Sequence, residues 1–111
     1  MIVVPKNKGA QGALDTDSAE SSDLLEYSLS DTEFDVLREQ GLLDAINDSG
    51  QCNVDDYEDD AIVRRQLLEN VVDRLQEFDG VVAQEATGLL RVLRFLFIEA
   101  IERDTGIFFY F

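Results

Sequence analysis

Between Val81 and Arg103 the chain places apolar residues on every face of a helix, and that stretch restricts the folds open to it. Val82, Ala86, Leu89, Leu93, Leu96, Phe97, Ala100 and Ile101 form one stripe at helical spacing, while Leu90, Val92, Phe95 and Ile98 fall outside it. Such a helix has to lie at the centre of its domain or against another chain. A chain of 111 residues has room for one domain. Three helices in so small a domain struggle to surround one of their number. Leu90, Phe95 and Ile98 are therefore expected as an apolar contact patch, most simply the seam of a homodimer.

Two further helices are legible. Ser30 and Glu33 have the spacing of a capping box, with Leu29 and Phe34 placed as a hydrophobic staple around it. Phe34 and Leu37 then share a face, Gly41 is a stop, and Leu42, Leu43 and Ile46 continue as a short helix. Ile62, Leu68, Val71, Val72, Leu75 and Phe78 read as an amphipathic helix that Asp55 or Asp56 would cap and Asp79-Gly80 would end. The expected fold is all-α: a small three-helix bundle over residues 31–46, 56–79 and 81–103.

Both ends of the chain stand apart from that bundle. Residues 1–22 contain no aromatic residue and several Gly, Ser and Thr, so they are read as unable to offset the entropy of ordering. Residues 1–28 are assigned to a flexible acidic arm and 29–111 to the helical domain. Ile107-Phe108-Phe109-Tyr110-Phe111 has the composition of a strand with no partner strand in view. It should fold back over the helices or anchor in another chain through Phe108, Phe109 and Phe111.

Charge is as uneven as hydropathy. Asp15 to Asp60 holds sixteen acids against Arg38 alone, which equals the whole net charge of −15; the charges of the rest of the chain sum to zero. A field of that kind concerns partners and solubility, and it would repel nucleic acid. The densest group is Asp55, Asp56, Glu58, Asp59 and Asp60, more carboxylates than a helix cap needs. It is read as a face for a basic protein partner, with phosphate-backbone mimicry and a merely solvated surface as the competing readings.

Chemistry finds little purchase. The chain has no His, no Gly-rich phosphate loop and no nucleophile motif, so catalysis is not expected and no cofactor is implied. Cys52, the one cysteine, has acidic neighbours that oppose a thiolate, and is read as a loop or core residue. Residues 47–58 resemble an EF-hand loop in outline, with Asn47, Ser49, Asp55 and Glu58 as calcium ligands. Asp is missing from the first position and Cys52 stands where Gly is needed. Ile2-Val3-Val4 is too short for a signal peptide, and Arg91, Arg94 and Glu99 interrupt the most apolar region, so no membrane contact and a cytoplasmic location are expected. The function read from the sequence is a non-catalytic interaction module, an acidic inhibitor, immunity or adaptor protein. The alternative is a structural or regulatory subunit that associates through helix 81–103 and the aromatic C-terminus.

Overall fold

The two ends of the chain meet in the middle of a β-sheet. The computed structural model describes residues 1–55 and 59–111. Strands β1 (Ile2–Pro5) and β4 (Ile107–Phe109) run antiparallel at the centre, with β2 (Leu24–Tyr27) beside β1 and β3 (Asp60–Ile62) beside β4. Ile2 stands opposite Phe109 and Val3 opposite Phe108, while Ile62 pairs with Ile107. Beyond the strands Tyr110 donates its backbone N–H to the Met1 carbonyl at 2.8 Å.

Side-chain alternation divides the sheet. Ile2, Val4, Ile62, Ile107 and Phe109 enter the main core, where they join residues of four helices. These are α2 (Asp31–Glu39), α3 (Leu42–Gly50), α4 (Arg65–Gln76) and α5 (Thr87–Glu102). Val3 and Phe108 face the other way and are buried as well. Helix α1 (Lys8–Asp15) packs on β1, with Asn7 as its N-cap and Ala10 buried. Helix α5 is the central helix, burying Leu89, Leu90, Leu93, Leu96, Phe97 and Ala100 against α4 and the sheet.

The all-α, three-helix bundle expected from the sequence is therefore corrected to a mixed α/β domain of five helices and a four-stranded antiparallel sheet among the described residues. The disordered N-terminal arm falls with it: residues 1–28 contain β1, α1 and β2. Averaging composition over twenty-two residues hid the β-branched run Ile2-Val3-Val4, whose partner lies at the far end of the chain. A radius of gyration of 13.3 Å agrees with about 13 Å for a compact chain of this length. The aromatic C-terminal segment has its partner strands in β1 and β3.

Helix boundaries shift for local reasons. Gly41, at φ 78°, separates α2 from α3 in a left-handed conformation that suits glycine. Asp60–Ile62 pairs with β4, so α4 begins only at Arg65, without a side-chain cap. Turns occupy residues 77–82 and a 3-10 turn Gln84–Ala86 leads into α5. At the other end of α5, Asp104 takes the left-handed position (φ 56°), and the Thr105 N–H reaches back to the Ala100 carbonyl. The buried Thr105 hydroxyl donates to the Pro5 carbonyl at 2.8 Å, tying the end of α5 to the end of β1. Among the described residues no helix is long and apolar enough to cross a membrane.

The approach of β4 to β3 is tightest at Gly106. A methyl group there would lie 2.9 Å from the Ile62 carbonyl oxygen and 2.7 Å from Val63 Cγ1. Gly106→Ala should lower stability by about 1–3 kcal/mol in denaturant titration, because backbone and not a flexible side chain must yield. Gly12→Ala, on the exposed side of α1 with nothing within 4 Å, should raise it by about 0.5–1 kcal/mol. Equal effects of the two changes would contradict this packing.

Candidate functional site

Four aromatic rings lead from the core to the surface. Phe97 lies 6.3 Å from Phe109, Phe109 lies 6.3 Å from Phe111, and Phe111 meets the edge of Phe34 at 5.1 Å. Their outer end opens into a depression of about 480 Å³ with Leu29, Phe34, Phe111 and Met1 as apolar lining. Asp31, Asp35 and Tyr110 add its polar part. Asp31 and Asp35 are both exposed on α2.

The sequence builds this site through the start of α2. The Ser30 hydroxyl accepts from the Glu33 N–H at 3.1 Å, and the Glu33 carboxylate accepts from the Ser30 N–H at 3.0 Å, which completes the expected capping box. Glu33 also accepts from the Tyr27 hydroxyl, joining the cap to β2. The Tyr27 hydrogen bond, then those of Ser30, hold the Glu33 carboxyl below its ordinary pKa; the same bond raises that of Tyr27. The Asp59 carboxylate accepts from the Phe111 N–H at 2.7 Å and holds the backbone of that residue. Arg38 rests over the Phe34 ring at 5.1 Å.

Electrostatics at this end of the sheet are one-sided. Burial raises the pKa of the Tyr110 hydroxyl, and the carboxylates of Asp15, Asp17 and Asp59 push it further in the same direction. The Met1 ammonium loses basicity through burial, with Asp59 opposing the loss. Two carboxylates, those of Asp31 and Asp35, thus line the aromatic hollow, and three more, of Asp15, Asp17 and Asp59, act on the Tyr110 hydroxyl beside it. Chemically the arrangement suits a ligand that combines positive charge with an apolar or flat group.

In the acidic group singled out from the sequence, Asp59 and Asp60 hold backbone amides. Asp59 serves the Phe111 backbone, and Asp60 accepts from the Asn53 N–H at 2.8 Å and from the Ala61 N–H at 2.8 Å. Asp55 is half-buried and lines a second depression with Arg38, Asp44 and Asn53. Asp56 and Glu58 lie outside the described residues. Asn47 and Ser49 belong to α3, so the first positions of the EF-hand spacing are helical. The Asn47 side chain is committed to the following loop: it donates to the Val54 carbonyl at 3.0 Å and accepts from the Val54 N–H at 2.8 Å. No cluster of three or more His, Cys, Asp or Glu suited to a metal ion occurs among the described residues. Cys52 is buried and donates to Asn47 Oδ1 at 3.3 Å. Burial, then the Asp60 charge, pushes its thiol up to about 11.

Of the apolar candidates, Leu90, Phe108 and Phe109 are buried within the chain, Phe111 is 36% exposed at the depression, and Phe95 and Ile98 are 53% and 37% exposed on α5. Sequence reasoning noticed Leu29, Phe34 and Asp31 only as parts of a helix start. It missed Asp15, Asp17 and Asp35 as neighbours of the aromatic end, because the pairing that gathers them spans the whole chain.

Since the Glu33 carboxyl is held below its unfolded value, its contribution is present above about pH 4.3 and disappears as pH falls through the folded value. Glu33→Gln keeps the cap geometry and removes the charge. It should cost about 0.5–1 kcal/mol at pH 7, and the gap from the wild type should close towards pH 3. An unchanged gap at both pH values would show that the charge plays no part. Comparison of the chain with family models, with curated proteins and with solved structures gives no match, so this hollow and its charges are what a functional reading has to rest on.

Proposed function

We propose that the protein is a non-catalytic interaction module of the cytosol, an inhibitor, immunity or adaptor protein, that receives a basic protein partner at the Phe34–Phe111 hollow. The observation that supports this is the coincidence of an open apolar floor, Leu29, Phe34 and Phe111, with the exposed carboxylates of Asp31 and Asp35. The partner element that fits is a short segment presenting Arg or Lys beside an apolar or aromatic side chain. Its uncharged part would enter between Leu29, Phe34 and Phe111, and its cation would meet Asp31 and Asp35. The wider field from Asp15 to Asp60 would speed encounter and make it sensitive to salt. A second reading, a subunit that associates through α5, draws on the exposure of Phe95 and Ile98.

A synthetic twelve-residue peptide of alternating Arg and Leu serves as a probe in calorimetry, with the Glu-for-Arg version as control. The basic peptide should bind, and its Kd should rise at least tenfold between roughly 50 and 300 mM salt. Asp31→Asn and Asp35→Asn should each weaken binding about two- to fivefold, as expected for a loss of about 0.5–1 kcal/mol. Phe111→Ala should weaken it at either salt. Binding that ignores these three changes, or is equal for the acidic peptide, would overturn the proposal.

A further inference from the structure

The exposed side of α5 has an order that neither the core nor the acidic hollow uses. After Thr87 and Gly88 in its first turn, the exposed residues of α5 are Arg91, Phe95, Ile98 and Glu102, at steps of four, three and four. That alternation keeps side chains on one nearly straight seam, as in a coiled coil. Phe95 and Ile98 are 53% and 37% exposed, while Leu93 before them and Leu96 and Phe97 between them are buried. Apolar residues occupy the middle of the seam, a base its N-terminal end and an acid its C-terminal end.

This order is self-complementary. Arg91 and Glu102 lie equally far from the midpoint between residues 96 and 97, and so do Phe95 and Ile98. A two-fold axis through that point would set Arg91 of one copy against Glu102 of the other and Phe95 against Ile98, each contact made twice. The neighbouring charges are already engaged: Arg94 pairs with Asp79 at 2.8 Å and Arg103 with Glu99 at 3.4 Å. Among the described residues neither Arg91 nor Glu102 makes an ion pair.

Long-range charge selects the same face. Two copies carrying −15 each repel, and least where the surface is balanced. The four charged residues of α5, Arg91, Arg94, Glu99 and Glu102, sum to zero. We infer that α5 is a self-association surface on which a second copy of this chain docks with the two α5 helices antiparallel and centred between residues 96 and 97. The seam from Arg91 to Glu102 is about 16 Å long at 1.5 Å per residue, a small contact that fits a reversible, concentration-dependent dimer. Salt screens the repulsion between the two acidic bodies, so association should strengthen as salt rises. That is the reverse of the dependence expected at the acidic hollow, and the inference does not rest on that site.

Sedimentation equilibrium of the full chain from about 5 to 500 μM, at low and physiological salt, provides the test. The wild type should dimerise, more tightly at the higher salt. Phe95→Ser should abolish the dimer without loss of helical signal. Arg91→Glu and Glu102→Arg should each weaken it at least tenfold, because each sets like charges together twice. An equimolar mixture of those two variants should recover wild-type affinity, since the two acids at the seam ends of one then meet the two bases of the other; a parallel seam would set like charges together in the wild type already, and there the mixture would bind more tightly than the wild type. A wild type that stays monomeric throughout, single variants that associate normally, or a mixture that fails to recover would each overturn the inference.

Discussion

Everything in this fold depends on the antiparallel contact between β1 and β4. Each strand alone is three or four residues long, far too short to persist in water. Together they form the inner half of a sheet whose core-facing residues, Ile2, Val4, Ile107 and Phe109, abut the apolar helix α5. That contact answers the problem posed by α5. A helix apolar nearly all round is enclosed by α4 on one side and by a sheet on the other, with only Phe95 and Ile98 left prominently outside. The same pairing draws Tyr110 and Phe111 to the start of α2, and so makes the hollow.

Acidity is tolerated in an instructive way. Glu33, Asp59 and Asp60 all accept hydrogen bonds from neutral backbone or hydroxyl donors. Such donors stabilise a carboxylate without cancelling its charge, so each keeps contributing to the field around the molecule. Most arginines of the second half pair among themselves with Glu69, Glu77, Asp79 and Glu99. The negative potential of the first half is thus built into the fold, while α5 stays electrically balanced.

Local features were legible in the sequence, and distant ones were not. The Ser30–Glu33 cap, the break at Gly41 and the core faces of α4 and α5 follow from spacing over four to eight residues, where each signal and its partner are close together. The sheet escapes such reading because its pairings join residue 2 to 109 and residue 62 to 107. No local pattern specifies a partner so far away, and β1 and β3 are too short to show alternation. Ile62 joins the helical pattern only by a step of six to Leu68, a gap that marks the change of element. The candidate site suffered likewise. Its charges were visible as a long acidic stretch, but which of them surround the aromatic end depends on the sheet. Counting carboxylates points to the densest run, Asp55 to Asp60, in which Asp59 and Asp60 also hold backbone amides.

Amide hydrogen exchange read residue by residue tests the central pairing most directly. The Met1–Tyr110 bond sets the phase of the ladder, and alternation makes Val3 and Phe108 the next pair to exchange N–H and carbonyl bonds. Their amides should open only with global unfolding, among the slowest in the protein and as slow as those of Leu93 and Phe97 in α5. Exchange of Val3 at the rate of an unstructured peptide, with α5 still protected, would mean that the N-terminal residues are not part of the sheet and that another arrangement covers the central helix.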